Sequence, residues 1–157
     1  MKALIVYDSA FGNTEKIAQA MGEAIGCEAR RVTEVQPGQL TGLYVLIVGS
    51  PTQKFQPLPA IKEFLKNIPA QGLAGVKVAA FDTRFTVSEI EKIRVLAFFV
   101  KIFGYAAQPI ADRLTKKGGE LAVSPEGFFV EDTEGPLKEG ELERATEWAR
   151  QIMAAQY

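Results

Sequence analysis

The 157-residue chain contains no histidine and a single cysteine, Cys27. One thiol excludes an intramolecular disulfide and a cysteine-built metal site. Without imidazole there is no Ser-His-Asp triad, no Cys-His pair and no zinc site of the usual kind. No catalytic side chain and no metal ligand set is therefore expected, and any difficult chemistry falls to a bound cofactor. The chain also lacks a charge excess: 18 Lys and Arg stand against 19 Asp and Glu, a formal net charge of -1. That balance gives no reason to invoke nucleic acid, which asks for a clustered basic surface. No apolar run approaches the roughly 20 residues needed to span a bilayer. The N-terminus has one Lys and a short apolar run but no small-residue cleavage site, so no signal peptide is expected and cytoplasmic residence is the default.

What is present suits one domain over residues 1–157, with 47% hydrophobic residues for a substantial core and no low-complexity stretch or composition break. The charge is unevenly placed. Residues 84–117 carry seven Lys or Arg and three acids, whereas residues 118–157 carry nine acids and three bases. Solvated helix faces account for this, and so does a docking surface with a basic and an acidic part.

Residues 2–7 (KALIVY) are short, almost continuously apolar and rich in β-branched side chains, the pattern of a strand buried on both faces of a parallel sheet. Residues 44–48 (YVLIV) and 76–81 (VKVAAF) repeat it, and residues 28–32 supply a weaker strand. Between them Ile17, Ala20, Met21, Ala24 and Ile25 share one helical face, as do Ile61, Leu65 and Ile68 with Phe64 beside them, before Pro69 stops that helix. A last strand is expected from residues 121–123 and 128–130, broken at Pro125-Glu126-Gly127. A last helix follows with Leu142, Ala145, Trp148, Ala149 and Ile152 on its apolar face. Alternating strands and helices predict right-handed crossovers and a parallel sheet covered on both sides. Residues 87–117 are longer than one crossover. Ser88 and Glu91 form a capping-box pattern, the run from Val95 to Phe103 is apolar nearly all round, and Gly104 interrupts it before Ile110, Ala111 and Leu114 resume a narrower face.

The first strand runs into Asp8-Ser9-Ala10-Phe11-Gly12-Asn13-Thr14 and then a helix. Such a turn gathers backbone N–H groups, two hydroxyls and a helix N-terminus around one point that attracts a phosphate, although the same residues also suit simple helix capping. The G-x-x-x-x-G-K-[ST] pattern is absent, and a turn with one glycine fails G-x-G-x-x-G. A mononucleotide or a phosphate ester fits better than a dinucleotide.

Residues 7–18 (YDSAFGNTEKIA) resemble the phosphate loop of the flavodoxin family. GSPT at residues 49–52, FDTR at 81–84 and FFVEDTEGPL at 128–137 extend the resemblance over nearly the whole chain, toward its short-chain branch. The resemblance implies an α/β doubly wound three-layer sandwich with a five-stranded parallel sheet of order 2-1-3-4-5. It also implies one FMN at the carboxyl ends of strands 1, 3 and 4. Open α/β sheets bind ligands at that same switch point. By this carry-over Ser9, Ala10, Phe11, Gly12, Asn13 and Thr14 form the phosphate loop, while Pro51, Thr52, Gln53, Lys54 and Phe55, with Asp82, Thr83, Arg84 and Phe85, flank the isoalloxazine.

The implied function is an electron-transfer protein shuttling one or two electrons between redox partners. An FMN-dependent NAD(P)H:quinone-type oxidoreductase is the alternative enzyme, and a flavin-free binding domain a third class. A phosphoacceptor receiver is set aside because Asp8 has no acidic neighbour before it. Two departures from the family matter. The chain is nearly neutral where electron-carrier flavodoxins are acidic, which leaves the redox partner, protein or quinone, open. No glycine stands in residues 51–55, where any φ > 0 costs about 1 kcal/mol or more. Lys54, facing the ring, would favour the anionic reduced flavin. Phe55 and Phe85 are candidates to stack on it or to pack locally, Asp82 could accept from a ring N–H or end a turn, and Tyr7 reads as core. The Val95 to Phe103 run reads as a doubly buried helix, a homodimer contact, or a surface for a quinone, a redox protein or a peripheral membrane contact flanked by Lys92, Arg94 and Lys101.

Overall fold

The computed structural model describes residues 2–53, 55–84, 105–132 and 134–155. The capping box at Ser88 and Glu91 and the apolar run through residues 95–103 lie outside them, as do Lys54 and Phe85. The described elements are β1 (Ala3–Tyr7), α1 (Asn13–Ile25), β2 (Glu28–Arg31), β3 (Val45–Pro51), α2 (Pro59–Asn67), β4 (Lys77–Arg84), α3 (Ala107–Lys116), β5 (Glu120–Leu121), β6 (Glu126–Phe129) and α4 (Glu141–Ala154). Two 3-10 turns, Val32–Glu34 and Pro37–Leu40, join β2 to β3. All strand pairs are parallel in the order β2-β1-β3-β4-β5, with β6 also on β4. This is the 2-1-3-4-5 order expected from the sequence, its fifth place shared by β5 and β6.

The pleat divides the core into two layers, because successive residues of a strand point to opposite faces. Leu4 and Val6, Leu46 and Val48, and Val78 and Ala80 pack under α2 and α3 against Ile61, Leu65, Ile110 and Leu114. Ile5 and Tyr7, Val45 and Ile47, and Ala79 and Phe81 pack under α1 and α4 against Ile17, Met21, Trp148 and Ile152. Tyr7 is core, as its sequence position suggests.

Two expectations need correction. The last strand is broken as expected, but at residues 122–125, since Glu126 and Gly127 pair with Phe81 and Asp82. Leu121 faces Val78 and Glu126 faces Phe81, so β4 advances three residues while the outer strand advances five. The two surplus residues bulge out at residues 122–125, where Pro125, which has no N–H to give the ladder, is tolerated. Nor does Leu142 join the buried face of α4, being 40% exposed, whereas Glu141 is 7% exposed. The reason is polar. Glu141 Oε2 accepts the Phe129 backbone N–H at 2.7 Å, and the Arg144 guanidinium closes on both carboxylate oxygens at 3.0 and 2.7 Å. The carboxylate also lies in the first turn of its helix, where the dipole favours an anion. Arg144 in turn donates to the Gly127 carbonyl and lies over the Phe128 ring, so one ion pair fastens α4 to the edge strand.

Under α4, Phe81, Phe128 and Trp148 meet edge to face, with centroids 5.9 to 6.1 Å apart. Gly49 makes room for the first of them: a Cβ there would come within 2.0 Å of the Phe81 ring. Gly49→Ala should therefore cost about 1–3 kcal/mol of overpacking, read as a lower urea midpoint with the slope unchanged.

Glu141 supplies a pH prediction. Burial alone would raise its pKa, but the Arg144 hydrogen bonds and the Phe129 N–H outweigh burial and hold it below the ordinary glutamate value. A carboxylate depressed in the folded state contributes stability above its unfolded pKa and loses it as pH falls through the folded one. Stability should accordingly decline below about pH 4.3, and Glu141→Gln should remove that share of the decline in melting curves measured from pH 7 to pH 3.

Candidate functional site

The apolar core stops at one level of the sheet. Gly49 and Phe81 pair in register, and the next pairs outward are Ser50 with Asp82 and Pro51 with Thr83. Ser50, Asp82 and Thr83 are all buried although polar. Such groups must be hydrogen-bonded, and their bonds assemble the three segments singled out in the sequence. The Thr83 hydroxyl meets the Thr14 hydroxyl at 2.9 Å, and the Thr83 carbonyl accepts the Thr52 N–H at 3.0 Å. Ser50 Oγ accepts the Leu58 N–H at 2.9 Å and closes residues 51–58 into a compact loop.

The loop at residues 8–14 leaves β1 at the switch point, where β1 pairs with β2 on one side and β3 on the other. Gly12 precedes α1 at φ 92, a left-handed conformation that glycine adopts without Cβ strain. Ser9 Oγ accepts the Gly12 N–H at 3.0 Å and the Glu15 N–H at 3.4 Å, so its hydroxyl holds the centre of the N–H cluster. Asn13 and Thr14 are buried, whereas Ala10 and Phe11 are exposed, Phe11 at 49%. The Asn13 side-chain amide donates to the Glu134 carbonyl at 3.2 Å and presses on Gly135, where a Cβ would lie 2.6 Å from Asn13 Oδ1. That side chain ties the loop to residues 134–135, leaving its backbone N–H at the start of the helix.

A residue that sequence reasoning missed sets the electrostatics of this loop. Arg31, level with Tyr7 in the β1–β2 ladder, donates to Asp8 Oδ1 at 3.0 Å, the Ser9 carbonyl at 3.2 Å and Glu15 Oε2 at 2.8 Å. Its guanidinium lies 5.5 Å from the centre of the Tyr7 ring. One cation thus holds the loop's shape and offsets two carboxylates beside the N–H cluster. The only signal was the register of β2, which the weak strand at residues 28–32 does not specify.

In the loop that follows β3, Gln53 and Gln56 exchange both backbone hydrogen bonds, and Phe55 takes φ 67. The positive φ that the missing glycine would have eased is present here on a phenylalanine, at a cost of about 1–2 kcal/mol, borne by the bonds that close the loop.

At the end of β4, Asp82 is fully buried and accepts from Arg84 Nε at 2.6 Å, Arg84 Nη2 at 2.7 Å and the Ala107 N–H at 2.9 Å. Burial pushes its carboxyl above the usual range, and the Arg84 and Ala107 hydrogen bonds oppose that shift. Arg84 lies 3.8 Å from the centre of the Tyr105 ring and occupies the space above Gly127, where a Cβ would stand 2.0 Å from Arg84 Nε. Arg84 thus binds Asp82, and Asp82 fastens the start of α3 through the Ala107 N–H. The Tyr105 hydroxyl is buried with no partner among the described residues. Cys27 is half-buried, and burial, with Glu28 adding to it, pushes its thiol up to about 11, so it is protonated at neutral pH and no nucleophile. No group of metal-ligating side chains occurs among the described residues.

Removing one partner of the Asp82–Arg84 pair strands a buried charge. Arg84→Met should cost about 3–5 kcal/mol, and the double change Asp82→Asn with Arg84→Met should recover much of it, as measured by equilibrium unfolding of the two variants.

Neither a protein-family model nor a curated protein matches the chain. Solved structures do. A flavodoxin from the domain Archaea superposes with a TM-score of 0.76 at 20% identity over 100% of both chains. Flavodoxin 2 from Bacillus cereus gives 0.74 at 23% identity over 98% of this chain and 99% of its own. Rubredoxin oxygen:oxidoreductase from Desulfovibrio gigas gives 0.73 at 22% identity, covering 99% of this chain and 36% of the larger one. The fold is that of the flavodoxins.

Proposed function

We propose that the chain is a single flavodoxin-like domain that binds FMN and carries one or two electrons between redox partners. The observation that carries this reading is the Ser9-centred loop at the β1–β3 switch point. Its hydroxyl accepts two N–H groups that point at one spot, beside the buried Thr14 and Thr83 hydroxyls. A phosphate oxygen is a stronger acceptor for those N–H groups and takes hydroxyl donors as well. Ser9, Gly12, Asn13 and Thr14 would hold the phosphate, Asn13 through its backbone N–H, with Ala10 and Phe11 at the open rim. Pro51, Thr52, Gln53 and Phe55, with Asp82, Thr83 and Arg84, border the space for the ring, and Lys54 and Phe85 complete those two segments. The Tyr105 hydroxyl, buried and without a partner among the described residues, is in keeping with a polar ligand here. When bound, FMN supplies the redox chemistry that a chain without histidine and with an inert thiol cannot.

The likeness in fold to flavodoxins supports the reading, and so does the rubredoxin oxygen:oxidoreductase whose chain includes a region of this fold. No helix among the described residues is long and apolar enough to cross a membrane.

Colour is the first test: purified protein should carry or take up FMN and show its visible absorption, and protein that remains colourless with added FMN would refute the proposal. Anaerobic mixing with NADH or NADPH alone should leave the flavin oxidised, whereas rapid bleaching would assign the oxidoreductase function instead. Arg31 gives a more local prediction. Arg31→Ala leaves Asp8 and Glu15 uncompensated beside a dianionic phosphate, so FMN should bind roughly tenfold more weakly. Riboflavin, which has no phosphate, should bind unchanged, and Asp8→Asn added to Arg31→Ala should restore FMN affinity in a fluorescence titration.

A further inference from the structure

Three cations of the basic segment meet two lysines of α2 on the fold. A groove of about 550 Å³ between α2 and α3 is walled by Lys62 and Lys66 on one side and by Arg113, Lys116 and Lys117 on the other. Glu63 is the one carboxylate on its walls, and it accepts from Asn67 at 3.4 Å. None of the five cations forms an ion pair with a described residue. Lys62 donates to the Gln56 side chain, and Lys117 donates to the Lys66 carbonyl at 3.2 Å. Lys66, Arg113 and Lys116 sit in last helical turns, where the dipole favours a cation, but Lys62 does not. It stands in the first turn of α2, where a positive charge opposes the dipole, so local helix energetics leave it unexplained.

We infer that this groove is the docking surface for a redox partner protein that presents a ridge of carboxylates, an inference that rests on the electron-carrier reading above. Three features select that occupant. The cations line both walls of a concavity, which suits a ridge or an extended segment better than the flat face of a bilayer. The molecule has a net charge of only -1, so it offers no long-range attraction to a dense polyanion such as duplex DNA, whereas a local cluster of cations suits a local ridge of carboxylates. The groove also reaches the candidate site. The Lys62 contact with Gln56 joins it to the Gln53–Gln56 hairpin that carries Phe55, so a partner seated there stands beside the loop proposed to border the flavin. Rim charges of this kind act mainly on encounter and specificity.

The test uses the FMN-treated full chain, isotope-labelled for amide NMR, and a twelve-residue peptide with six glutamates, with its glutamine counterpart as control. The glutamate peptide should shift amides of residues 62–66 and 113–117, and its affinity should fall about tenfold or more between low and physiological salt. Lys62→Glu with Lys66→Glu and Lys116→Glu should abolish binding without altering FMN uptake. The milder Arg113→Gln with Lys116→Gln, which leaves α2 intact, should weaken it by a factor between the two. Equal binding of the glutamine peptide, shifts centred on α4, or no shifts would overturn the inference. So would tighter binding of duplex DNA or phosphatidylserine vesicles through the same amides, or low-salt self-association through them. FMN uptake, read on the same samples, reports on the cofactor separately, so loss of that reading is distinguishable from loss of the groove.

Discussion

The in-register pairing of β1, β3 and β4, buried on both faces, is the constraint on which the molecule depends. A strand covered by helices on both sides has no solvent-facing positions, so Ile5, Val6, Val45 through Val48 and Val78 through Phe81 are all apolar and nearly inaccessible. Polar chemistry is thereby displaced to the strand ends. The change occurs within one residue, from Gly49 with Phe81 to Ser50 with Asp82. Everything with a claim on a ligand lies at or beyond that level, and its placement follows from the register of three strands.

Three arginines organise that rim by one device. Arg31 holds Asp8 and Glu15 and lies by Tyr7, Arg84 holds Asp82 under Tyr105, and Arg144 holds Glu141 and Glu126 over Phe128. In each case one guanidinium meets both a carboxylate and an aromatic ring, which ammonium groups do less well. Each arginine also fixes the end of a strand or the loop leaving it. Lys62, Lys66, Arg113, Lys116 and Lys117, by contrast, line the α2–α3 groove without a carboxylate partner among the described residues, which separates them from the charges used within the fold.

Much of this was legible in the sequence. Continuous apolar runs marked β1, β3 and β4, helical spacing marked the faces of α1 and α2, and the small and hydroxyl residues after β1 marked the loop. The misreadings have local causes. Proline and glycine punctuate turns, which extends the expected break through Gly127, whereas Gly127 is inside β6 and is small because Arg84 lies over it. Leu142 was counted as core by its hydrophobicity. Glu141 took the inner position because the Phe129 N–H and Arg144 reward a carboxylate there, and no hydropathy pattern registers a hydrogen bond.

The sequence by itself therefore determined the order of the elements, the parallel sheet, the absence of a disulfide and of imidazole chemistry, and the strand-to-helix loop at residues 8–14. Those features are encoded within short windows by hydrophobic period, turn residues and composition. Only the tertiary structure decided that Arg31 guards the loop, that Thr83 joins its three segments, and that Arg84 is sealed onto Asp82. It alone gathered five cations from two helices 50 residues apart in the chain into one groove. Those are relations between residues distant in sequence, set by strand register and helix packing, and a register is read only once the partner strand is in place.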